Sequence, residues 1–210
     1  MTAAPRFITL EGGEGAGKTS QGKRLAAALQ AKGIASVLTR EPGGSPGAEQ
    51  IRKLIVEGEQ GRWDALTETL LLYAARADHL AQTIRPALNA GKWVISDRFS
   101  DSTYVYQGAG RGLDGTTIAA IETAAIGSFK PDLTLVLDVS EEAGLARAAS
   151  RGGSEHRFES FTRDFHTRLR QGFRALAHSS PERCVLIDAS LPEADVAAAI
   201  WRAVSQRFGL

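Results

Sequence analysis

Eight residues near the start of the chain limit what the rest can become: Gly12-Gly13-Glu14-Gly15-Ala16-Gly17-Lys18-Thr19. They fit the pattern G-x-x-x-x-G-K-[ST]. An apolar run, Phe7-Ile8-Thr9-Leu10, precedes them, and a helical pattern carrying Leu25 and Leu29 follows. Strand, glycine loop and helix in that order make a phosphate cradle. The glycines let backbone N–H groups close around phosphate oxygens, and the helix N-terminus adds its partial positive charge. All eight residues are therefore expected to bind a nucleoside triphosphate. Lys18 is placed to reach the β and γ phosphates and Thr19 to hold Mg²⁺. The loop does not say what receives the phosphate.

The rest of the chain supplies the scaffold. Apolar strand patterns fall at 7–11, 35–39, 93–97, 133–138 and 185–188. Helical patterns fall between them, at 18–32, 48–56, 64–90, 116–126, from Ser140, 160–177 and 192–208. Pro86 is expected to kink the longest of these. Segment 98–112 reads as polar and glycine-bearing, and 151–159 as a polar loop. Strands alternating with helices predict an α/β fold. It has one five-stranded parallel sheet with helices on both faces, wound by right-handed crossovers. No repeat or linker divides the 210 residues, so a single domain over 1–210 is expected.

Composition removes several functions. The formal net charge is +1, which provides no basic field for nucleic acid. Cys184 is the only cysteine, which excludes an internal disulfide and any cysteine-cluster metal site. The N-terminal residues lack an apolar signal core, and no apolar stretch approaches the ~20 residues of a spanning helix. A soluble, cytoplasmic protein with no membrane partner is expected. A GTPase would carry Asn-Lys-x-Asp, but the one asparagine, Asn89, is followed by Ala90.

A kinase of small acceptors needs a second phosphate site facing the loop, an acceptor pocket, and a mobile cationic cover. Asp97-Arg98 leaves the third strand on the edge where open α/β sheets bind ligands. Asp97 ends an apolar strand in the manner of an acid that orders Mg²⁺. Arg52, with Lys53 equally suited by charge, and Arg76 lie on helices that can reach the same edge. Arg147, Arg151 and Arg157 surround Gly152-Gly153, a lid segment at about 147–159. Arginine suits these places because its planar fork grips phosphate oxygens with two bonds.

Six stretches together resemble the bacterial thymidylate kinases. They are 11–19, Thr39-Arg40-Glu41-Pro42-Gly43-Gly44, Tyr73-Ala74-Ala75-Arg76, Asp97-Arg98-Phe99, Tyr106-Gln107-Gly108-Ala109-Gly110-Arg111-Gly112 and Pro131-Asp132-Leu133-Thr134. The resemblance implies a P-loop NTPase fold of the nucleoside monophosphate kinase kind. It also implies transfer of the γ-phosphoryl of ATP to dTMP with Mg²⁺, and a homodimer formed through 64–90 and 116–126.

Residue roles follow from the same resemblance. Arg98 and Arg52 hold the acceptor phosphate, and Arg76 bonds the thymine edge. Leu72 or Tyr73 packs on the base, Ser102 and Gln107 hold base or phosphate, and Tyr106 packs against the deoxyribose. With Glu14 in the loop and arginines around the lid, the chain resembles the class that has an acidic loop residue. In that class Glu14 faces the acceptor's 3′-hydroxyl and a lid arginine is catalytic. Arg151 is the first candidate and Arg157 the second. Two other readings stay open: a kinase of a different nucleoside monophosphate, and a nucleotide-binding switch with no acceptor.

Overall fold

The computed structural model describes residues 4–59, 61–150 and 161–210. Its centre is strand β1 (Phe7–Glu11), in which every residue is buried, because both faces of a parallel sheet are covered. Four further strands run parallel to it: β2 (Ser36–Arg40), β3 (Trp93–Asp97), β4 (Leu133–Asp138) and β5 (Cys184–Asp188). Their order across the sheet is β2-β3-β1-β4-β5. The chain thus winds to both sides of β1, and ligands in such sheets gather where the winding reverses. Register aligns the strand ends, with Leu10 opposite Asp97 and Glu11 opposite Val136. The residues that follow β1 and β3 therefore emerge side by side.

Helices α1 (Lys18–Ala31) and α9 (Glu193–Phe208) cover one face, closing a core of Leu25, Leu29, Val196, Ile200 and Val204 on Ile8, Leu10 and Leu135. On the other face, helices α3 (Ala65–His79) and α6 (Gly115–Ile126) pack on each other, and Tyr73, Ile118 and Ile126 join Phe7 and Phe99 in the core there. Helix α8 (Arg163–Ser179) lays Phe165, Leu169 and Phe173 against Val136 and Tyr106. Helices α2 (Pro46–Val56) and α7 (Glu141–Ala149) flank the sheet's C-terminal edge. Side chains at Asp64, Asp114, Ser140 and Thr162 cap the N-termini of α3, α6, α7 and α8 by accepting backbone N–H bonds.

One expectation is corrected. The single long helix over 64–90 is interrupted. α3 passes into a π-helical segment, Leu80–Ile84, before α4 (Arg85–Asn89) resumes. Pro86 explains this, since it lacks an N–H and its ring needs room at the carbonyl four residues earlier, which the wider turn provides. Segment 98–112, read only as polar and glycine-bearing, is helical over 100–110, with α5 (Ser100–Thr103) followed by a π-helical segment, Tyr104–Gly110. Its glycines hide the pattern because they serve packing. A Cβ on Gly110 would lie 2.6 Å from the Phe165 ring.

Candidate active site

The phosphate loop connects β1 to α1. Backbone crowding shapes it. Gly15 has φ 65°, and a Cβ there would stand 1.9 Å from Gly144 O of α7. A Cβ on Gly144 would stand 2.5 Å from Glu14 O. Lys18 Nζ curls over the loop and donates to Gly12 O at 3.2 Å and Gly13 O at 2.8 Å. Burial and the neighbouring Arg98 cation pull Lys18 down to about 8, against the pull of Asp97, Glu14 and Glu11. Thr19 Oγ1 donates to Asp97 Oδ2 at 2.6 Å. This brings together a hydroxyl and a carboxylate, both hard oxygen donors of the type Mg²⁺ takes alongside phosphate oxygens and water. The expected pair for the metal therefore fits. Among the described residues no group of three or more His, Cys, Asp or Glu offers another site.

Arg98 follows β3 and turns back over the loop. Its Nη1 donates to Gly12 O at 2.9 Å and Ser102 Oγ at 3.1 Å. Its Nη2 donates to Glu14 Oε1 at 3.1 Å and Tyr106 OH at 2.7 Å. Tyr106 OH in turn donates to Glu14 Oε1 at 2.6 Å. Burial opposes a charge on Glu14, but Arg98 and Lys18 outweigh it and hold the carboxyl down at about 2. The cation beside Glu14 thus comes from within the described site. Arg151 and Arg157, the expected lid cations, lie outside the described residues. Arg147, the third, donates to Ala189 O at 3.0 Å, so it fastens α7 to the end of β5.

A pocket opens beside this cluster. Glu14, Arg98, Ser102 and Tyr106 form its loop end, and Pro42, Arg52, Ile55 and Val56 form one side. Leu72, Arg76, Phe99, Thr103, Gln107 and Glu41 close the rest. Of the two cations on α2, Arg52 faces the pocket and bonds Pro42 O, while Lys53 is exposed. Leu72 is on the wall. Tyr73 is not, which corrects its expected place: it is 1% exposed and packs with Phe7 and Phe99 in the core. One helical residue's rotation, about 100°, separates the two.

Arg76 is 2% exposed, and its donors are largely committed. Nε bonds Glu41 Oε2 at 2.7 Å, Nη1 bonds Thr103 Oγ1 at 3.1 Å and Nη2 bonds Phe99 O at 3.2 Å. A guanidinium has five N–H groups, so donors remain for a ligand. Glu41 is held from behind, with its Oε1 3.0 Å from His79 Nδ1 and His79 Nε2 2.7 Å from Thr39 Oγ1. Gln107 donates Nε2 to Glu68 Oε1 at 2.9 Å, while its Oε1 is buried with no hydrogen-bond partner among the described residues. Ser102 Oγ donates to Glu11 Oε2 at 2.5 Å, so its hydroxyl supports Arg98 rather than standing free.

A glycine loop capped by Lys18 thus lies beside an arginine-lined pocket, with Arg98 touching both. The family model described as "Thymidylate kinase" matches residues 10–200. The chain belongs to the thymidylate kinase family. It is 53% identical over 204 residues to the thymidylate kinase of Caulobacter vibrioides, covering 97% of this chain and 98% of that one. It is 52% identical over 198 residues to that of Dinoroseobacter shibae, covering 94% and 95%. The crystal structure of thymidylate kinase from Ehrlichia chaffeensis matches with a TM-score of 0.76 at 33% identity, covering 96% of this chain and 99% of that one. The sheet and loop are accordingly those of a P-loop nucleoside monophosphate kinase.

In this thymidylate kinase-family chain, Glu11, Glu41, His79 and Thr103 also serve the site, though the sequence assigns none of them a role. Each is buried and polar, and each contacts a predicted site residue or its partner. The available signal was a carboxylate ending an otherwise apolar strand at Glu11, and a charged residue beside Pro42 at Glu41.

Proposed function

We infer that the chain is a thymidylate kinase: it moves the γ-phosphoryl of ATP to dTMP, giving ADP and dTDP on the way to dTTP. The observation that carries this is the pairing of the phosphate loop with a second, arginine-lined pocket through Arg98, which touches both. A simple nucleotide switch has no use for the second pocket.

The acceptor's phosphate oxygen attacks in line, so no protein nucleophile is required. The chain's part is to position two anions and neutralise their approach. Lys18 meets the triphosphate by leaving the carbonyls of Gly12 and Gly13. Arg98 lies where donor and acceptor phosphates converge, and Arg52 holds the acceptor phosphate from the other wall. Thr19 and Asp97 would hold Mg²⁺, which when bound supplies charge neutralisation on the phosphoryl oxygens. Glu14 takes the acceptor's 3′-hydroxyl, and Tyr106 closes the sugar end. Arg151 or Arg157 adds a further cation from the lid.

At the base, Arg76 offers donors to a carbonyl, and Gln107 Oε1 offers an unmet acceptor to an imide N–H. Thymine presents both groups, whereas cytosine has an amino group and a bare ring nitrogen in their places. Leu72 and Phe99 supply apolar contact. Turnover with ATP and dTMP, dUMP, dCMP, AMP or GMP tests the reading, and preference for dTMP is expected. A purine preference overturns it.

The reading extends to a single kinase domain acting as a homodimer. Leu66 and Leu70 on α3 are 44% and 51% exposed, and Ala119, Ala120, Thr123 and Ala124 are exposed on the adjoining α6. A second copy covers such a stripe. No helix among the described residues is long and apolar enough to cross a membrane. The charge on ATP and dTMP keeps both where they are made, which supports the reading of a cytoplasmic enzyme.

A further inference from the structure

Arg98 is the one described residue other than glycine with a positive φ, 73°. Such a backbone persists only when its surroundings hold it. Three bonds do so here. Arg98 N donates to Leu10 O at 2.9 Å, Ser96 Oγ donates to Arg98 O at 2.7 Å, and the following amide, Phe99 N, donates to Glu11 Oε1 at 2.7 Å. The other oxygen of the same carboxyl, Glu11 Oε2, bonds Ser102 Oγ, and Ser102 Oγ accepts from Arg98 Nη1. Glu11 therefore grips both the turn that carries Arg98 and the hydroxyl that steadies its guanidinium.

We propose that Glu11 is a positioning residue for phosphoryl transfer: its carboxyl locks the left-handed turn at Arg98 and so aims the guanidinium across the phosphate loop. The proposal rests on the role assigned to Arg98 above. Its position supports it. Glu11 is fully buried at the end of β1, one residue before the cradle, where a carboxyl is costly unless its oxygens are bonded. Both are bonded, and both bonds lead to the turn.

What Glu11 supplies is reach and shape rather than charge. Burial, reinforced by Asp101, pushes it up to about 8 against Arg98 and the bonds from Ser102 and Phe99. A glutamine has the same reach. It can accept from Phe99 N through its carbonyl and donate to Ser102 Oγ through its amide. An aspartate keeps the ionisable group but is one methylene short.

Glu11→Gln and Glu11→Asp are compared, alone and combined with Arg98→Ala, by steady-state kinetics with ATP and dTMP and by thermal melting. Glu11→Gln is expected to keep kcat within about threefold of wild type. Glu11→Asp is expected to lose about 100-fold in kcat with KM for ATP unchanged, and to add less than about twofold to the loss in Arg98→Ala. A glutamine variant as damaged as the aspartate one overturns the proposal. So does an aspartate variant with intact kcat, or losses that multiply with Arg98→Ala. A kcat loss that merely tracks a lowered melting midpoint assigns Glu11 a structural role and overturns it as well. Crystal structures of the two variants read the same question without turnover: φ at Arg98 stays positive with glutamine and leaves that region with aspartate. Failure of the wild type to phosphorylate dTMP would strike the functional reading instead and leave this comparison standing.

Discussion

Glu14, from the phosphate loop, and Arg98, from the end of β3, lie side by side, with Nη2 of one 3.1 Å from Oε1 of the other. The pair joins the phosphate loop to the pocket beside it. Arg98→Ala removes the donor at that junction, and kcat is expected to fall by about 10²–10³. The fold should survive, as judged by an unchanged circular dichroism spectrum. Glu14 loses its strongest opposing cation in this variant, so its titration should move upward from about 2. Turnover within about threefold of wild type would remove Arg98 from the chemistry.

Lys18 gives the reaction an alkaline limit. Its proton is held less firmly than in water, at about 8, chiefly because the group is buried and Arg98 stands close. As pH rises through that value the unliganded cradle loses a positive charge. The ratio kcat/KM for ATP reports the free enzyme and is expected to decline above about pH 8. A profile flat to about pH 9.5 would mean that Lys18 stays charged in the free protein.

Glu11 should leave a signature in stability. Its folded value, about 8, lies above the 4.5 of the unfolded chain. Between these values the folded state holds more protons, so the stabilisation is full below about 4.5 and is lost as pH rises through about 8. The charged groups that act on Glu11, namely Arg98, Asp101, Lys18, Arg76 and Arg183, are the same in Glu11→Gln. Urea unfolding at pH 5 and pH 8 should therefore show a loss in wild type that the glutamine variant lacks. Equal slopes in the two proteins would contradict the assignment.

Glu41 and Arg76 form an ion pair whose side chains are 3% and 2% exposed. Glu41→Ala leaves the guanidinium buried without its partner and also releases His79. A cost of about 3–5 kcal/mol is expected, read as a lower urea midpoint. KM for dTMP should rise more than KM for ATP, because Arg76 lines the pocket proposed for the acceptor and not the phosphate loop. A parallel rise in both would detach Arg76 from the acceptor.

The parts of the site legible in the sequence were those whose chemistry repeats at fixed local spacing. The phosphate loop, Asp97 and Arg98 at a strand end, and all five strands were placed from patterns within a few residues. Leu72 and Tyr73 could not be separated, because one helical step decides which meets the pocket and neighbouring elements set that rotation. The helical segment after Arg98 was hidden by Gly108 and Gly110, which weaken the helix signal while admitting Ile118 of α6 and Phe165 of α8 respectively. Glu11, Glu41 and His79 act through partners 88, 35 and 38 positions away, a distance that no local pattern spans.

The seam between Gly15 and Gly144 has a consequence for any motion in this kinase. Two backbones meet there with no side chain between them, and neither position has room to acquire one. Side-chain contacts can slide or repack, but this one is a hard stop. Helix α7 is thereby keyed to the loop that grips the triphosphate. The last turn of α7 is therefore held at a set distance from the phosphate loop.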